Sequence, residues 1–395
     1  MVDEEWAAPD SLLGRLQRGR GLGYRQALGT PGAGALVLAC IAHEPRWDRQ
    51  TEERDEYYAR LIADLGIPAD AIPLDVDDPD VLLGVAFGVL VELSRGGSTD
   101  AAAQLHRYFT RVDEPDWWVV GHLWWEAGPA GREGLAELVL GRIDDESLAA
   151  AVTLHEDGPW RAWEHLPRVA AALAGATPHE PWPGNPDVSD RTAQELHVLA
   201  DAPSSHLRTA AFRELSRRGD PVLLDLAERL DLRNSVGVTS LLGGPVVELG
   251  VAALPRARAW VGTDDDWLCS LGRNVICAHG GPDDAPQILS WLDEAVADGE
   301  WCVTEDLADG LARLAYGSAV PLIARAWELT PHSCARKHYL PALIQLEPPN
   351  LQAHLDEAAD DCESDVRDIA ATHLAQADWP RTSWPSSPRR GRPGG

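Results

Sequence analysis

Three residues near the start of one predicted helix could bind a metal ion: His332, Cys334 and His338. Cys334 and His338 are four residues apart, about one helical turn, so both side chains could face the same ion. A zinc site needs three or four such ligands, and the sequence shows no third and fourth ligand at a matching spacing. We therefore predict no metal and no cofactor.

Two other patterns are similar to ligand-binding loops. Glycines are dense in Arg18–Gly23 and Gly29–Gly34, but a P-loop needs GK[ST], and a dinucleotide loop must join a strand to a helix. Aspartates crowd Asp75–Asp80, but the EF-hand spacing needs Gly and Glu where Asp80 and Ala86 stand. We interpret the glycines as turns and the aspartates as helix caps.

Catalytic motifs are not recognisable in the sequence. No serine, histidine and aspartate or cysteine and histidine pattern comes with local context such as a GxSxG elbow. We therefore predict no catalytic residues. Catalysis by residues that meet only in the folded protein stays open.

A charged residue interrupts an apolar stripe in the predicted long helix Arg46–Leu65. Arg54 lies between Trp47 and Tyr58 at helical spacing. A guanidinium group on an apolar face needs a carboxylate or carbonyl partner. One interpretation is a buried ion pair that braces two helices. The alternative is that Arg54, with Tyr57 and Tyr58, binds an anion or a protein partner.

Two further patterns could form a surface that binds a partner protein. Trp260, Trp291 and Trp327 occupy equivalent positions and could form an exposed aromatic ridge, although their apolar neighbours favour core packing. Acidic runs such as Asp264, Asp265 and Asp266 precede predicted helices. The helix dipole accounts for much of this preference. The alternative is an acidic edge that binds a basic protein.

The helices that would position these residues repeat along the chain. Ser205–Pro221, with the sequence SHLRTAAFRELSRRGDP, predicts a helix, a tight turn at Gly219 and a second helix that starts at Pro221. The spacing from Gly219 to Gly250 is 31 residues, and from Gly250 to Gly281 it is 31 again. A tryptophan follows ten residues after Gly250, Gly281 and Gly317.

Arginine marks the first helix of several units, as in Arg208, Arg336 and Arg367. With the spacing above, this pattern resembles the HEAT repeat, in the short form of about 31 residues found in proteins of the bilin-lyase type. The resemblance covers residues 190–378 well and residues 45–175 more loosely. It implies an all-α solenoid of stacked helix pairs, and a protein-interaction scaffold or regulatory binder without catalytic activity. The alternative that it implies is a HEAT-like enzyme, of lyase or nucleobase-modifying type.

The repeat pattern also predicts how the chain is divided. We expect an N-terminal helical cap region at 1–45, looser helical repeats at 46–176 and HEAT-like repeats at 191–379. Four prolines exclude a helix from the loop at 177–190, and residues 380–395 read as a disordered basic tail. Gly243, Gly244 and Pro245 should interrupt the helix before Gly250.

The charge of the chain limits its partners. It carries 63 acidic and 34 basic residues, a formal charge of −29. That charge argues against nucleic acid and anionic membranes and permits a basic protein partner. We predict a cytoplasmic protein, because no signal peptide or membrane-spanning run is visible and the six cysteines form no CxxC pair. Lys337 is the single lysine, which indicates a GC-rich bacterial source.

Overall fold

The structure is a computed structural model that describes residues 6–43, 46–49, 51–74, 84–111, 116–155, 158–176, 186–229 and 238–377. Within these ranges the regular elements are helices and no strand is present, so the predicted all-α class is confirmed. None of the described helices has the length and apolar character needed to cross a membrane. The predicted acidic loop at 75–80, most of the proline-rich loop and the basic tail lie outside the described residues.

The first half of the chain contains α1 to α11. These are α1 Leu12–Gln17, α2 Gly21–Leu28, α3 Ala33–His43, α4 Asp55–Asp64, α5 Val85–Arg95, α6 Thr99–Arg111, α7 Trp117–Glu126, α8 Gly128–Arg132, α9 Leu135–Leu140, α10 Asp145–Leu154 and α11 Pro167–Gly175. Their buried side chains form one hydrophobic core, to which Cys362 from the far end of the chain also belongs.

The second half contains α12 to α23. These are α12 Ala193–Ala200, α13 Ser205–Arg217, α14 Val222–Glu228, α15 Val238–Glu248, α16 Leu254–Trp260, α17 Asp266–His279, α18 Ala285–Asp298, α19 Trp301–Arg313, α20 Val320–Leu329, α21 Arg336–Leu346, α22 Leu351–Ala358 and α23 Ser364–Ala377. A second hydrophobic core runs through them.

The helices of the second half lie in two layers. α13, α15, α17, α19, α21 and α23 pack one after another, and we call them the odd-numbered row. Each helix between them packs against at least one member of this row. The C-terminal ends of α15, α17 and α19 lie side by side, because His279 contacts the Val247 carbonyl and Arg313 donates to the Cys277 and Gly280 carbonyls.

The predicted helix, turn and second helix around Ser205–Pro221 are present. α13 ends at Arg217, and Gly219 follows with φ of +66°, a conformation that glycine adopts without steric cost. α14 begins directly after Pro221. Apolar periodicity and turn chemistry agree here, which is why the local prediction succeeds.

Two predicted boundaries are wrong. The expected helix Arg46–Leu65 begins only at Asp55, because residues 51–54 lie against the C-terminal part of the chain and bond to it. The expected break at Gly243–Pro245 is absent, and α15 continues through it. Leu242 and Val246 are fully buried there, so tertiary packing outweighs the one backbone hydrogen bond that Pro245 cannot make.

The two ends of the described chain meet. α2 packs against α22, and the segment 51–54 lies against residues 331–334 and 362–364. These contacts join residues about 300 positions apart in sequence, such as Arg54 and Cys362, which are separated by 308. The N-terminal helices therefore also pack against the last helices of the described chain.

Candidate functional site

A cleft of about 660 Å³ opens between α15, α17 and α19. Gly243 and Gly244 form part of its wall, and a Cβ atom added to either would meet no atom within 4 Å. Glu248, Asp306 and Asp309 supply carboxylates to the lining. The glycines thus leave open space beside three acidic side chains.

A second cleft, of about 510 Å³, lies between α17, α18 and α19. It shares Ser270, Asn274 and Asp306 with the first cleft, so the two adjoin. We call them together the acidic groove. Its lining carries seven carboxylates: Glu248, Asp266, Glu294, Asp298, Glu300, Asp306 and Asp309.

The two arginines of the acidic groove do not neutralise these carboxylates. Arg313 donates to the carbonyls of Cys277 and Gly280, at 3.0 and 2.8 Å. The guanidinium of Arg273 lies over the ring of Trp291, 5.4 Å from its centroid. Among the residues that the structure describes, neither arginine forms a salt bridge with a groove carboxylate. The groove therefore keeps an excess of negative charge.

Burial and neighbouring carboxylates act together on Asp306. Partial burial raises the pKa of its carboxyl group, and the charges of Asp309 and Glu305 raise it as well, against the opposing effect of His338. A positively charged ligand would relieve this repulsion and lower the pKa of Asp306. The charges of the lining thus favour cations over anions.

A second group of charged residues lies where the two ends of the chain meet. It consists of four arginines and four carboxylates, each at most 7% exposed: Arg18, Arg20, Arg54, Arg336, Glu52, Glu357, Asp361 and Glu363. We call it the junction cluster. Buried charges are tolerated only when they are paired and hydrogen-bonded, so these side chains must be held in fixed positions relative to one another.

Arg54 lies at the centre of the junction cluster and is fully buried. Its Nη2 lies 3.3 Å from Glu52 Oε2, and its Nη1 lies 3.6 Å from Glu363 Oε1. The guanidinium also donates to the Pro331 carbonyl at 3.1 Å and to Cys362 Sγ at 2.8 Å. One side chain thus joins the segment before α4 to two C-terminal segments.

Two bidentate pairs complete the cluster. Arg336 Nε and Nη2 donate to Asp361 at 2.8 and 2.9 Å. Arg20 Nε and Nη2 donate to Glu357 at 2.6 and 3.1 Å, which links α22 to the residue before α2. Such fork-shaped contacts fix orientation as well as distance.

His332 extends the junction cluster toward α19. Its Nδ1 lies 2.9 Å from Glu52 Oε1, and its Nε2 lies 3.2 Å from Glu305 Oε1. Burial alone would lower the pKa of His332, but the hydrogen bonds to Glu305 and Glu52 raise it to about 9. Burial likewise acts to raise the pKa of Glu52, yet Arg54 and His332 hold it below its ordinary value.

The His332 ion pairs should make stability fall above neutral pH. The pKa of His332 rises from 6.5 to about 9 on folding, so its contribution is complete below about pH 6.5 and is lost as the pH rises through about 9. Between pH 7 and 8.5, the free energy of unfolding measured with urea should fall by about 2 kcal/mol more in the wild type than in His332→Gln. Parallel curves for the two proteins would contradict this assignment.

Arg54, Tyr57 and Tyr58, which could have bound a partner, lie inside the protein. All three are 0% exposed. The Tyr57 hydroxyl donates to the Arg20 carbonyl at 2.9 Å, and the Tyr58 hydroxyl donates to the Leu16 carbonyl at 2.8 Å. In this conformation a partner would not reach them, and the ion-pair interpretation of Arg54 describes what the structure contains.

The three equivalent tryptophans do not form an exposed ridge. Trp260, Trp291 and Trp327 are 3%, 7% and 0% exposed, because each packs among the apolar side chains of the second hydrophobic core. Core packing, the other interpretation of this pattern, is what the structure has. Trp291 still borders the acidic groove.

The three aspartates of the acidic run before α17 have different roles. Asp265 caps the helix by accepting a hydrogen bond from the Leu268 N–H at 3.0 Å, as the helix-cap interpretation requires. Asp264 and Asp266 are exposed, and Asp266 lines the acidic groove. Of the predicted partner-binding acids, Asp266 is the one in the groove lining.

The potential metal ligands have other partners. His332 pairs with Glu52 and Glu305, while His338 Nδ1 lies 2.7 Å from Asp309 Oδ2. Cys334 Sγ lies 3.3 Å from the Thr51 carbonyl oxygen. In the described ranges, no group of three or more His, Cys, Asp or Glu side chains is arranged to hold a metal ion.

Sequence reasoning missed the role of the glycines in Arg18–Gly23. The Gly19 carbonyl accepts the Cys362 N–H at 2.9 Å. A Cβ atom on Gly19 would lie 2.4 Å from Cys362 Sγ, and one on Gly21 would lie 1.9 Å from the Glu357 carbonyl oxygen. The alternation of arginine and glycine indicates that this backbone approaches another segment closely. Local sequence does not identify that segment.

Neither a protein family model, nor a curated protein, nor a solved structure matches this chain. The junction cluster is buried and holds the two ends together. The acidic groove is open and negatively charged, which makes it the candidate functional site.

Proposed function

We propose that this protein is a non-catalytic binder of a basic protein segment and that the acidic groove is its binding surface. One observation carries the proposal. Seven carboxylates line the groove, while its two arginines are directed to backbone carbonyls and to a tryptophan ring. A Lys- or Arg-rich segment would add charge partners to this lining, in which Asp309 already pairs with His338 at 2.7 Å.

The packing of the helices supports the proposed HEAT-like solenoid. Successive members of the odd-numbered row pack on one another, and the helices between them form a second layer. Repeat arrays of this kind expose long surfaces that suit extended segments of a partner. The acidic groove crosses three members of the odd-numbered row, α15, α17 and α19, so an extended segment could contact several repeats at once.

The groove offers little support for the alternative of an enzyme. Cys302 is exposed and lies in the groove. Partial burial raises the pKa of its thiol, and Glu305 and Asp48 raise it further. A nucleophilic cysteine needs the opposite environment, one that favours the thiolate. The charge of the groove therefore suits cation binding better than nucleophilic chemistry.

Neutralising two groove carboxylates should weaken binding of a basic peptide. We expect Asp306→Asn/Asp309→Asn to raise the Kd of fluorescein-labelled nona-arginine by about tenfold, because two exposed charge pairs of about 0.7 kcal/mol each amount to about 1.4 kcal/mol. Fluorescence anisotropy at low salt gives the Kd. Raising the salt from about 50 to about 300 mM should reduce the difference through screening.

The matched control is Glu133→Gln/Glu137→Gln, which removes two exposed carboxylates from the N-terminal half. Its Kd should stay within about twofold of the wild-type value, a change of about 0.4 kcal/mol. Circular dichroism would verify that both variants are folded. Equal weakening by the two double substitutions would show binding to net charge alone and would refute the groove as the site.

A further inference from the structure

A third cleft continues the odd-numbered row beyond the acidic groove. It has a volume of about 600 Å³ and lies between α21 and α23, where its lining contains apolar residues, two acids and one lysine: Pro341, Ile344, Ile369, Asp365, Asp368 and Lys337. α23 ends at Ala377, directly beside this cleft, since His373 belongs to its lining. Residues 378–395 continue from that point.

The charge of residues 378–395 is opposite to that of the rest of the chain. The segment contains Arg381, Arg389, Arg390 and Arg392 against one acid, Asp378. It also carries Trp379 and Trp384, whose rings suit an apolar cleft. We call it the arginine segment. Its composition matches the basic occupant that the acidic groove requires.

The arginine segment is long enough to reach the groove. Packed helices lie about 8–10 Å apart, so α19 lies about 20 Å from α23 across the row. An extended chain spans about 3.3 Å per residue. Arg389 is the twelfth residue after Ala377 and can therefore reach about 40 Å, enough for Asp306 and Asp309. Arg381, the fourth residue, reaches about 13 Å and stays near α21 and α23.

We propose that the arginine segment folds back along α23 and α21 and occupies the acidic groove of its own chain, with Arg389, Arg390 and Arg392 near Asp306 and Asp309. This inference rests on the proposed function, because it takes the groove to be a cation-binding surface. The segment then competes with a basic partner, which must displace it. The protein carries its own regulator of binding.

The strength of this competition follows from the tether. A short flexible linker gives an effective concentration of about 1 mM. If the free segment binds the groove with a Kd of about 0.1 mM, the tethered segment lowers the apparent affinity for an external peptide about tenfold. A partner of micromolar affinity would still bind, but only above a threshold concentration.

Removing the three distal arginines should therefore strengthen binding of an external peptide. In the full chain, Arg389→Ser/Arg390→Ser/Arg392→Ser should lower the Kd of labelled nona-arginine about tenfold at low salt. The matched control, Arg107→Ser/Arg213→Ser/Arg325→Ser, removes three exposed positive charges from helices outside the groove lining. It should leave the Kd within about twofold.

The outcomes separate the two proposals. If nona-arginine binds none of these proteins, the proposed function fails. If it binds the wild type and the arginine-segment variant with equal affinity, the groove binds cations but the segment does not occupy it. Equal strengthening by both triple substitutions would show a net-charge effect and would also overturn the inference.

A disulfide trap tests the location directly. Cys302 is exposed and lies in the acidic groove, so Ser387→Cys should form an intramolecular disulfide with it under oxidised glutathione. Peptide mass spectrometry would identify the bond, and Cys302→Ser would abolish it. No bond to Cys302, or a bond found only between two molecules, would overturn occupation of the groove by its own segment.

Discussion

Replacing Arg54 by methionine is expected to lower the free energy of unfolding by about 3–5 kcal/mol. The substitution keeps an unbranched side chain but leaves Glu363 without a charge partner and Glu52 with His332 alone, in a site that excludes water. The carbonyl of Pro331 also loses its donor. Urea unfolding followed by circular dichroism measures the change.

The control is Arg213→Met, since Arg213 is exposed on α13. It should change the free energy of unfolding by less than about 0.5 kcal/mol. Arg54→Lys should fall between the two, because an ammonium group keeps the charge but cannot make the five contacts of the guanidinium. A loss below about 1 kcal/mol in Arg54→Met would refute a bracing role.

Binding of nona-arginine should distinguish the two interpretations of Arg54. Because the side chain is buried away from the acidic groove lining, folded Arg54→Met should bind the peptide as the wild type does. Reduced stability with unchanged affinity would leave Arg54 with a structural role only. Weaker binding of nona-arginine by the folded variant would show that Arg54 contributes to partner binding.

Local sequence was enough to predict the helices and several of their turns. In Ser205–Pro221, apolar spacing, the glycine at position 219 and the proline at 221 all favour the same structure. The unusual status of Arg54 was also predictable, because a charge within an apolar stripe must have a partner. These inferences need only neighbours within about one turn of helix.

The partners of Arg54 could not be predicted, since they lie far away in sequence. Glu363 and Cys362 are brought to it by contacts between residues about 300 positions apart. Those contacts also explain the wrong helix start at Arg46. Residues 51–54 have the periodicity of a helix, but their hydrogen bonds to the C-terminal segments compete successfully with helix formation.

The acidic groove escaped prediction for a different reason. Asp266, Asp298 and Asp306 lie on α17, α18 and α19, and each looks like an ordinary acidic residue on a solvated helix face. Their common location depends on how the three helices pack. Gly243 and Gly244, which suggested a broken helix, instead leave space in a continuous one. The sequence thus indicated negative charge but not the surface that concentrates it.

Gly19→Ala should destabilise the protein by about 1–3 kcal/mol more than the same substitution at Gly32, because it overpacks the junction. Both glycines have positive φ, +64° and +80°, so each alanine costs about 1–2 kcal/mol of backbone strain. They differ in surroundings. A Cβ atom on Gly32 meets nothing within 4 Å, whereas one on Gly19 would lie 2.4 Å from Cys362 Sγ.

Comparing the two variants therefore isolates the contact between the two ends of the chain. Urea unfolding gives the free energies, and hydrogen exchange at the Cys362 amide gives a local reading, since this N–H donates to the Gly19 carbonyl. Exchange should accelerate in Gly19→Ala beyond the change in global stability and follow global stability alone in Gly32→Ala. The two variants could instead lose the same free energy of unfolding and show the same exchange rate at Cys362. That result would mean that close approach to Cys362 does not require glycine and that the charge pairs alone hold the two ends together.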